Sequence, residues 1–600
     1  MKNQASVPAR KDIPREAMWH LEDIFADEKE WQETYQSISE DLPRLEGFCG
    51  KLGESAKTLC QGLDLYYSVM LRSERLYVYA HMRRDEDNAL ACYQEMTDKA
   101  WALCVRAETA MAGRTTEILA IPPERLKAWC ESEPRLGAYA QFFREVEHQR
   151  AHTLDETGER ILAMAGDMAS GPDAVFTMLS ESDMHFPKIA GPEGKRVEVS
   201  QGRYHSFMES SCREVRRAAQ DGLHKAYGKF GNTIAAAYAA SVKTDVFFAK
   251  ARKYGSALDA ALHPDGLAPQ QYDGLIDAAR EALPLLHRYF AVKKKALGLD
   301  ELHQYDLYVP LGVPAQEAYT YQEGCALVEE GLAALGEDYL RVLREGFAGG
   351  WVDVFENRGK TSGAYSWGVW DAHPYVLMNW QGTTGDVLTL AHEMGHALHS
   401  WYSNRAQAYH NSGYKLILAE VASTCNEALL MRHLAVKAKD RDEKIFLLAR
   451  FLEEFRGTVF RQMMFAEFER DVHRLVEQGG ALSKESLSAI YTKIIAGYHG
   501  EGVVLDPCMS MEWARIPHFY NAFYVYKYAT GFSAALALSD QLLQGEEGAR
   551  ERYIGFLSGG GSRFPLELLR DAGVDLSTPM PLRLAMNRFE EALTELENLI

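Results

Sequence analysis

The chain has 600 residues, of which 47% are hydrophobic and 25% charged, and these ordinary globular values exclude a disordered or fibrous protein. Its 65 basic and 85 acidic residues give a formal net charge of −20, which excludes a nucleic-acid partner held by broad electrostatic attraction. The nine cysteines are scattered without a C-x-x-C pair, so neither a cysteine zinc site nor a disulfide framework fits.

The same features indicate the compartment. Scattered free thiols are typical of a reducing environment. No run of 18 apolar residues predicts a membrane-spanning helix, and the segment MKNQASVPARKDIPREAMW lacks the apolar core of a secretory signal. We therefore expect a cytoplasmic protein with no membrane partner.

Most of the chain carries apolar residues at three- and four-residue steps, which predicts helices. In chain order this pattern covers residues 65–112, 213–253, 270–297, 314–345, 415–438 and 444–478. Turn residues and alternating apolar positions in residues 183–204 predict a small hairpin. The aromatic, glycine-rich segment 363–382 contains a predicted strand over Tyr375–Trp380, and another helix is predicted to begin near Thr384.

These elements predict a mainly α fold in two domains. We place a boundary near residues 185–205, where the helical pattern is interrupted by the predicted hairpin. Residues 1–190 are then an N-terminal helical domain, and residues 191–600 are the domain that carries the chemistry.

The strongest chemical signal is His392-Glu393-Met394-Gly395-His396. Histidines at i and i+4 lie one turn apart on one face of a helix, so both imidazoles can reach a single tetrahedral zinc ion. The glutamate after the first histidine can act as general base on the attacking water. An incidental histidine pair on a solvated helix is disfavoured, because the flanking residues are apolar and burial of unpaired polar groups costs free energy.

A catalytic zinc site needs a third protein ligand. A metzincin would supply a histidine at position 402, which is Tyr402, and an HExxH aminopeptidase would supply a glutamate at position 415, which is Lys415. The best remaining candidate is Glu420, a lone carboxylate in an apolar helix; pairing with a buried cation is its alternative role. Glu427, seven residues later on the same face, either supports a ligand histidine or is solvated.

These motifs resemble the zinc site of the oligoendopeptidase F family, whose members are relatives of thimet oligopeptidase. HEMGH is followed by AEVASTCNEALL, and the similarity extends along essentially the whole chain. The other segments that carry it are Ile13–Pro14, Trp19–Phe25, Arg213–Arg217, Arg252–Leu258, Gly359–Lys360, Gly363–Tyr365, Pro374–Val376, Asn379–Gly382, Gly500–Val504, Arg515–His518 and Ala572–Asp575.

The resemblance implies a large two-lobed helical metallopeptidase with a deep central channel and a small β-sheet next to the zinc helix. It implies one Zn²⁺ per chain held by His392, His396 and Glu420, with Glu393 as the catalytic glutamate. The implied activity is hydrolysis of internal bonds in short peptides, which are then the partners of this protein.

The resemblance also implies that a late tyrosine-rich segment, here residues 517–531, donates hydrogen bonds to the oxyanion of the reaction. Tyr526 is the first candidate donor, and His518 and Tyr524 follow. The alternative is that these aromatic residues are part of the core.

Substrate binding is expected near the predicted strand. Tyr375 and Val376, together with Asn379, are the candidate substrate-binding residues, since an extended peptide can pair with a strand through its backbone.

Two other functions remain open on the sequence. One is a metal-dependent carboxypeptidase, which would not cleave peptides blocked at both ends. The other is a non-catalytic peptide-binding protein on the same scaffold, which Glu393 disfavours because binding alone needs no general base.

Overall fold

The computed structural model describes residues 6–191, 194–313 and 318–600, and its fold is mainly helical. Within the first two ranges the helices are α1 (Glu28–Glu46), α2 (Ala56–Glu86), α3 (Ala91–Ala110), α4 (Arg114–Ala120), α5 (Pro123–Ser132), α6 (Ala140–His148), α7 (Glu156–Ala169), α8 (Gly171–Met178), α9 (Gln201–Met208), α10 (Arg213–Lys229), α11 (Gly231–Ala251), α12 (Ala257–Leu262), α13 (Pro269–Glu281) and α14 (Leu283–Ala296). Within the third they are α15 (Tyr321–Gly331), α16 (Glu337–Ala348), α17 (Thr384–Ala406), α18 (Tyr409–Ser412), α19 (Leu416–Lys437), α20 (Arg441–Phe455), α21 (Arg461–Glu477), α22 (Lys484–His499), α23 (Tyr526–Gln544), α24 (Ala549–Leu557), α25 (Pro565–Asp571) and α26 (Met580–Leu599).

The strands are short and form three small sheets. They are β1 (Lys188–Ala190), β2 (Arg196–Glu198), β3 (Leu302–His303), β4 (Val352–Asp353), β5 (Tyr365–Trp367), β6 (Tyr375–Leu377) and β7 (Val503–Val504). β1 pairs with β2, β3 with β7, and β4, β6 and β5 form a sheet in that order. In the part of the chain that the structure describes, no helix is long and apolar enough to cross a membrane.

The predicted helices are present, but most are divided. The segment 213–253 becomes α10 and α11, which meet at Phe230, and the segment 270–297 becomes α13 and α14, with a proline in the first turn of α14. Apolar periodicity continues across such short breaks, so the pattern does not show them. Of the segment 314–345, residues 314–317 lie outside the described ranges, and the rest contains α15 and α16.

Two local predictions are confirmed. The hairpin over 183–204 is the antiparallel pair β1 and β2, with Ile189 opposite Val197; residues 192–193 lie outside the described residues. The helix predicted near Thr384 is α17. The predicted strand over Tyr375–Trp380 is present as β6 and ends at Leu377.

The described chain divides into two compact units, each assembled from three segments. The first contains described residues of Met1–Asp155, Gln316–His433 and Leu538–Gly573, and the second those of Glu156–Ala315, Leu434–Ala537 and Val574–Ile600. This division differs from a single boundary near residue 190. Late helices pack with early ones inside each unit, as α26 does with α13, and sequence order does not show such contacts.

In the first unit, the N-terminal segment lies along the sheet formed by β4, β6 and β5. The amide of His20 donates to the carbonyl of Gly350 at 2.8 Å, and the amide of Val354 donates to the carbonyl of Ala17 at 2.9 Å. The outer edge of β4 is therefore covered by residues 17–20.

A buried ion cluster connects this segment to the sheet. Arg10 Nη1 donates to Asp353 Oδ1 at 2.7 Å, and Lys360 Nζ lies 2.7 Å from the same oxygen. Lys360 also donates to the carbonyls of Phe355 and Met378 at 2.8 and 2.6 Å. Burial alone would raise the pKa of Asp353, but the two cations outweigh it and hold that pKa below its ordinary value.

Removal of Asp353 should destabilise this unit strongly. Asp353→Ala leaves the fully buried Lys360 without its carboxylate partner and leaves Arg10 with Glu86 as its carboxylate partner; breaking such a cluster costs about 3–5 kcal/mol of unfolding free energy. Because the pKa of Asp353 is lowered on folding, its contribution is complete above a pH of about 4 and is lost as the pH falls through the folded-state pKa.

Urea denaturation at pH 5 to 8 measures this loss. Asp371→Ala is the matched control, since it removes a solvent-accessible partner of Arg75 at 2.8 Å and should cost no more than about 1 kcal/mol. Equal losses in the two variants would contradict the role of the buried cluster.

Candidate metal centre

The helix that carries the histidines, α17, has a well-defined start. The side chain of Thr383 accepts from the amide of Asp386 at 3.1 Å, and Asp386 Oδ2 accepts from the amide of Thr383 at 2.8 Å. This reciprocal capping fixes where the helix begins. It thereby sets the direction in which His392 and His396 point, two and three turns later.

Three side chains converge in a geometry that fits a metal ion. His392 Nε2 and His396 Nε2 lie 3.1 Å apart, and Glu420 Oε2 lies 3.7 and 4.0 Å from them. The circle through these atoms has a radius of about 2.1 Å, which matches the Zn–N and Zn–O distances of protein zinc sites. In the described residues, this trio is the one group of three or more potential ligands that could hold a metal ion.

Hydrogen bonds orient both histidines. His392 Nδ1 donates to Glu427 Oε1 at 2.8 Å, which directs Nε2 towards the other two ligand atoms. His396 forms a hydrogen bond with the backbone of Ala419, next to Glu420. Such contacts fix the tautomer and orientation of ligand histidines.

A close helix contact brings the two ligand-bearing helices together. A Cβ atom on Gly395 would lie 2.6 Å from Ser423 Cα and 2.9 Å from the carbonyl oxygen of Ala422. The buried Asn426 donates to the carbonyl of Ala391 at 3.1 Å, and its own oxygen accepts from the Tyr339 hydroxyl at 3.0 Å. Sequence reasoning missed Asn426, although a polar residue in an apolar helix was a usable signal.

The electrostatics of the site suit acid–base chemistry. Burial lowers the pKa of His392, but its hydrogen bond to Glu427 and the nearby carboxylates outweigh this and raise the pKa to about 9. Burial, assisted by the charge of His392, lowers the pKa of His396 to about 3. Burial and the charges of Glu420 and Glu427 raise the pKa of Glu393 to about 7 against the opposing effect of His392. A divalent cation requires neutral imidazoles, so its binding competes with protonation of His392.

The strand that carries two of the predicted substrate-binding residues is paired on both sides. Tyr375 and Val376 lie in β6, which is the central strand, with β4 parallel on one side and β5 antiparallel on the other. Both backbone edges of β6 are therefore occupied. Asn379 Nδ2 donates to the carbonyls of Thr361 and Gly363 at 2.9 and 2.8 Å, so this amide anchors the loop before β5.

The edge of the sheet that remains available within the described residues belongs to β5. Val376 and Met378 donate their amides towards β4, so Tyr375 and Leu377 turn their backbone groups towards β5. In an antiparallel pair, the alternate residue points the other way. The amide and carbonyl of Ser366 consequently point to the outer edge of β5, the strand that packs against α17.

The candidate oxyanion donors lie in the second unit. Tyr526 is 0% exposed, and its hydroxyl donates to Asp265 Oδ2 at 2.9 Å. His518 and Tyr524 are only partly buried, with ring centroids 6.4 Å apart. The ring of Tyr528 lies 5.3 Å from Tyr524 and 6.0 Å from His518, and we call His518, Tyr524 and Tyr528 the aromatic cluster. Sequence reasoning did not select Tyr528.

The fold and this site together define a helical metallopeptidase of the HExxH type. The model of peptidase family M3 matches residues 206–588, and a second model, described as oligopeptidase F, matches residues 117–186. The chain belongs to peptidase family M3, within its oligopeptidase F group, and it is a metallo-endopeptidase. The family and fold class predicted from the sequence are thus confirmed.

Relatives and solved structures agree with this assignment. Oligopeptidase PepF of Bacillus subtilis (strain 168) is 42% identical over 599 residues, which are 100% of this chain and 89% of that protein. The plasmid-encoded oligoendopeptidase F of Lactococcus lactis subsp. cremoris is 38% identical over 98% of each chain. The crystal structure of oligoendopeptidase-F from Enterococcus faecium is 34% identical, with a TM-score of 0.74 over 95% of this chain and 99% of that chain.

The contact at Gly395 generates a prediction about metal affinity. Gly395→Ala should force α17 and α19 apart by a few tenths of an ångström or more, since the atoms that oppose the new methyl group belong to the backbone. We expect metal affinity to fall about 10–100-fold, the range seen when the support of a ligand set is disturbed. Competition with a chelator measures this affinity.

Gly413→Ala is the control. Its added methyl group would have no atom within 4 Å, and its φ of −70° suits alanine. Unchanged metal affinity in Gly395→Ala would show that the helices do not need this close approach.

Proposed function

We propose that this protein is a zinc-dependent oligoendopeptidase that hydrolyses internal bonds of short peptides. The observation that carries the proposal is the convergence of His392, His396 and Glu420 on one point beside the buried Glu393. Two imidazoles and a carboxylate form a donor set that suits zinc at a catalytic site with one position left for a reactant. When bound there, Zn²⁺ supplies Lewis-acid chemistry that polarises a carbonyl and acidifies water.

Glu393 performs the proton transfers in this proposal. Its carboxylate takes a proton from the attacking water and later delivers it to the leaving amine. A general base works best when its pKa lies near the working pH, and burial raises the pKa of Glu393 to about 7. Glu427 keeps His392 in the tautomer that presents Nε2 as a ligand.

The variant Glu393→Gln tests this assignment. It should retain metal and fold but lose about 10²–10⁴-fold in kcat, the usual contribution of a general acid–base group. The substrate is a fluorogenic peptide that is acetylated at one end and amidated at the other, and metal content is measured by elemental analysis after dialysis.

Two comparisons complete the experiment. Glu420→Ala should lose both metal and activity, which distinguishes a ligand from a base. A wild-type enzyme that cleaves only unblocked peptides would support a carboxypeptidase, and one that binds peptides without cleavage would support a binding protein. The candidate metals are compared by the activity that Zn²⁺, Co²⁺ or Mn²⁺ restores to enzyme stripped of metal by a chelator.

We further propose that the substrate backbone pairs with β5 and not with β6. The outward amide and carbonyl of Ser366 support this, because they can exchange two hydrogen bonds with one residue of an extended peptide. Backbone pairing gives affinity with little sequence preference, which suits a peptidase of many short substrates.

Ester substitution in the substrate tests the pairing. Replacing the amide whose N–H donates to Ser366 by an ester removes one hydrogen bond and changes little else. The loss of about 1 kcal/mol should raise KM roughly fivefold to tenfold with little change in kcat. An ester at the terminal residue is the control, and equal KM values for every ester position would exclude pairing at this edge.

For the oxyanion donor we propose the aromatic cluster in place of Tyr526. The bond from the buried Tyr526 hydroxyl to Asp265 supports a structural role for this residue. His518, Tyr524 and Tyr528 are partly exposed, and two phenols and an imidazole are suitable donors to a developing negative charge. The resemblance to the oligoendopeptidase F family supports a donor from this segment.

Single-hydroxyl variants distinguish the two roles. Tyr526→Phe should lower the melting temperature, because a hydrogen bond to a carboxylate is worth about 1.5–3 kcal/mol, and should leave kcat unchanged. Loss of a donor in the cluster, by Tyr524→Phe or Tyr528→Phe, should lower kcat about 10²–10³-fold at nearly constant KM. A large fall in kcat for Tyr526→Phe would return the role to that residue.

A cytoplasmic location is proposed as well. The scattered cysteines support it, since thiols persist in a reducing compartment. Fractionation of cells followed by thiol labelling tests the location, and recovery of the protein outside the cytoplasm would exclude it.

A further inference from the structure

The turn that connects the two halves of the aromatic cluster has an unusual backbone. Phe523 has a φ of 58°, and it is one of two non-glycine residues with positive φ among the described residues. A bulky side chain in this left-handed conformation is strained, so the surrounding structure must hold it there. The ring of Phe523 is buried between His473 and Tyr272, with centroid distances of 4.5 and 6.0 Å.

A buried carboxyl group holds the backbone of this turn. Glu469, on α21, is 0% exposed, and its Oε1 accepts from the amide of Phe523 at 3.1 Å. Its Oε2 has no hydrogen-bond partner in the described structure. Burying a carboxyl group with one partner costs more free energy than burying an apolar side chain of the same size. The carboxyl group at this position therefore has a specific structural role, which is to accept the hydrogen bond from the amide of Phe523.

The geometry of the cluster depends on this turn. His518 precedes Phe523, and Tyr524 and Tyr528 follow it. A change of φ at Phe523 towards the ordinary negative region would alter how the residues before the turn face those after it, since this bond lies between them. The present arrangement places the Tyr528 hydroxyl oxygen 3.5 Å from His518 Nε2.

A second buried carboxylate anchors the chain beyond the turn. Asp265 accepts from the Tyr526 hydroxyl at 2.9 Å and lies 2.7 Å from Lys527 Nζ. The first turn of α23 is thus fixed independently of Phe523. Glu469 then controls how the residues on the two sides of Phe523 face each other.

We propose that Glu469 is a positioning residue that holds Phe523 in its left-handed conformation and thereby aligns the aromatic cluster for the reaction. This inference rests on the proposed donor role of the cluster. Glu469 does not touch the reacting atoms in this scheme, and its effect passes through the peptide bond of Phe523.

Three variants of Glu469 test the proposal. Glu469→Gln keeps an oxygen that can accept from the amide, and its kcat should remain within a few-fold of wild type. Glu469→Leu and the more flexible Glu469→Met remove the acceptor. Both should lower kcat about 10²-fold, the cost of a small misplacement of reacting groups, with unchanged KM and metal content.

Hydrogen exchange followed by mass spectrometry gives a readout that does not depend on activity. Peptides covering residues 517–528 should exchange faster in Glu469→Leu and Glu469→Met than in Glu469→Gln or wild type. Met464→Ala is the control, because Met464 is buried on the same helix and lines a small cavity with Leu286 and Phe290. It should lower the melting temperature but change neither kcat nor exchange in this segment.

The outcomes separate this inference from the donor proposal. Normal exchange over 517–528 in both apolar variants overturns the positioning role, as does a normal kcat in both. Normal kcat in His518→Gln, Tyr524→Phe and Tyr528→Phe overturns the donor role of the cluster instead. In that case faster exchange in the apolar Glu469 variants would still support its hold on the turn. A near-normal kcat in Glu469→Gln, together with a low kcat in Glu469→Leu and Glu469→Met, supports both proposals.

Discussion

The close approach of α17 and α19 at Gly395 is the constraint on which the candidate metal centre depends. Two candidate ligands come from one helix and the third from another, so the distance between the helices decides whether all three could reach one ion. A hydrogen atom in place of a methyl group lets Ser423 pack directly against α17. The bond from Asn426 to the backbone of Ala391 then fixes the two helices in register. The glycine within the HExxH pattern therefore allows the helix that carries Glu420 to approach the two histidines.

Buried carboxyl groups carry much of the remaining organisation. Asp353 binds the N-terminal segment to the sheet beside α17, and Asp265 and Glu469 hold the two sides of the segment that carries the aromatic cluster. Each is costly to bury, and each accepts from a group whose direction matters for a neighbouring element. Apolar packing alone is non-directional, so it would fill the same volume without specifying the orientation of a turn or strand.

The sequence predicts local chemistry better than it predicts which backbone edges are used. The histidine pair at i and i+4 lies within one helix, so its spacing is visible in the sequence, and Glu420 stands out as a lone carboxylate in an apolar helical segment. The position of β6 between β4 and β5 depends on strands that are 10 to 23 residues away, so the aromatic pattern over Tyr375–Trp380 indicated a strand without indicating its edges. The two compact units likewise depend on contacts between segments hundreds of residues apart.

The alternating tyrosines at 524, 526 and 528 show how the same limit affects the choice of a donor. Alternation suggests equivalent positions, but the chain enters a helix at Tyr526, and residues in a helix repeat at intervals of three or four and not two. The ring of Tyr524, just before the helix, meets that of Tyr528 edge to face, while Tyr526 is buried and its hydroxyl donates to Asp265. The spacing of four residues between Tyr524 and Tyr528 was visible in the sequence. What the sequence could not supply was the left-handed Phe523, because the partner that stabilises it, Glu469, lies 54 residues earlier on a separate helix.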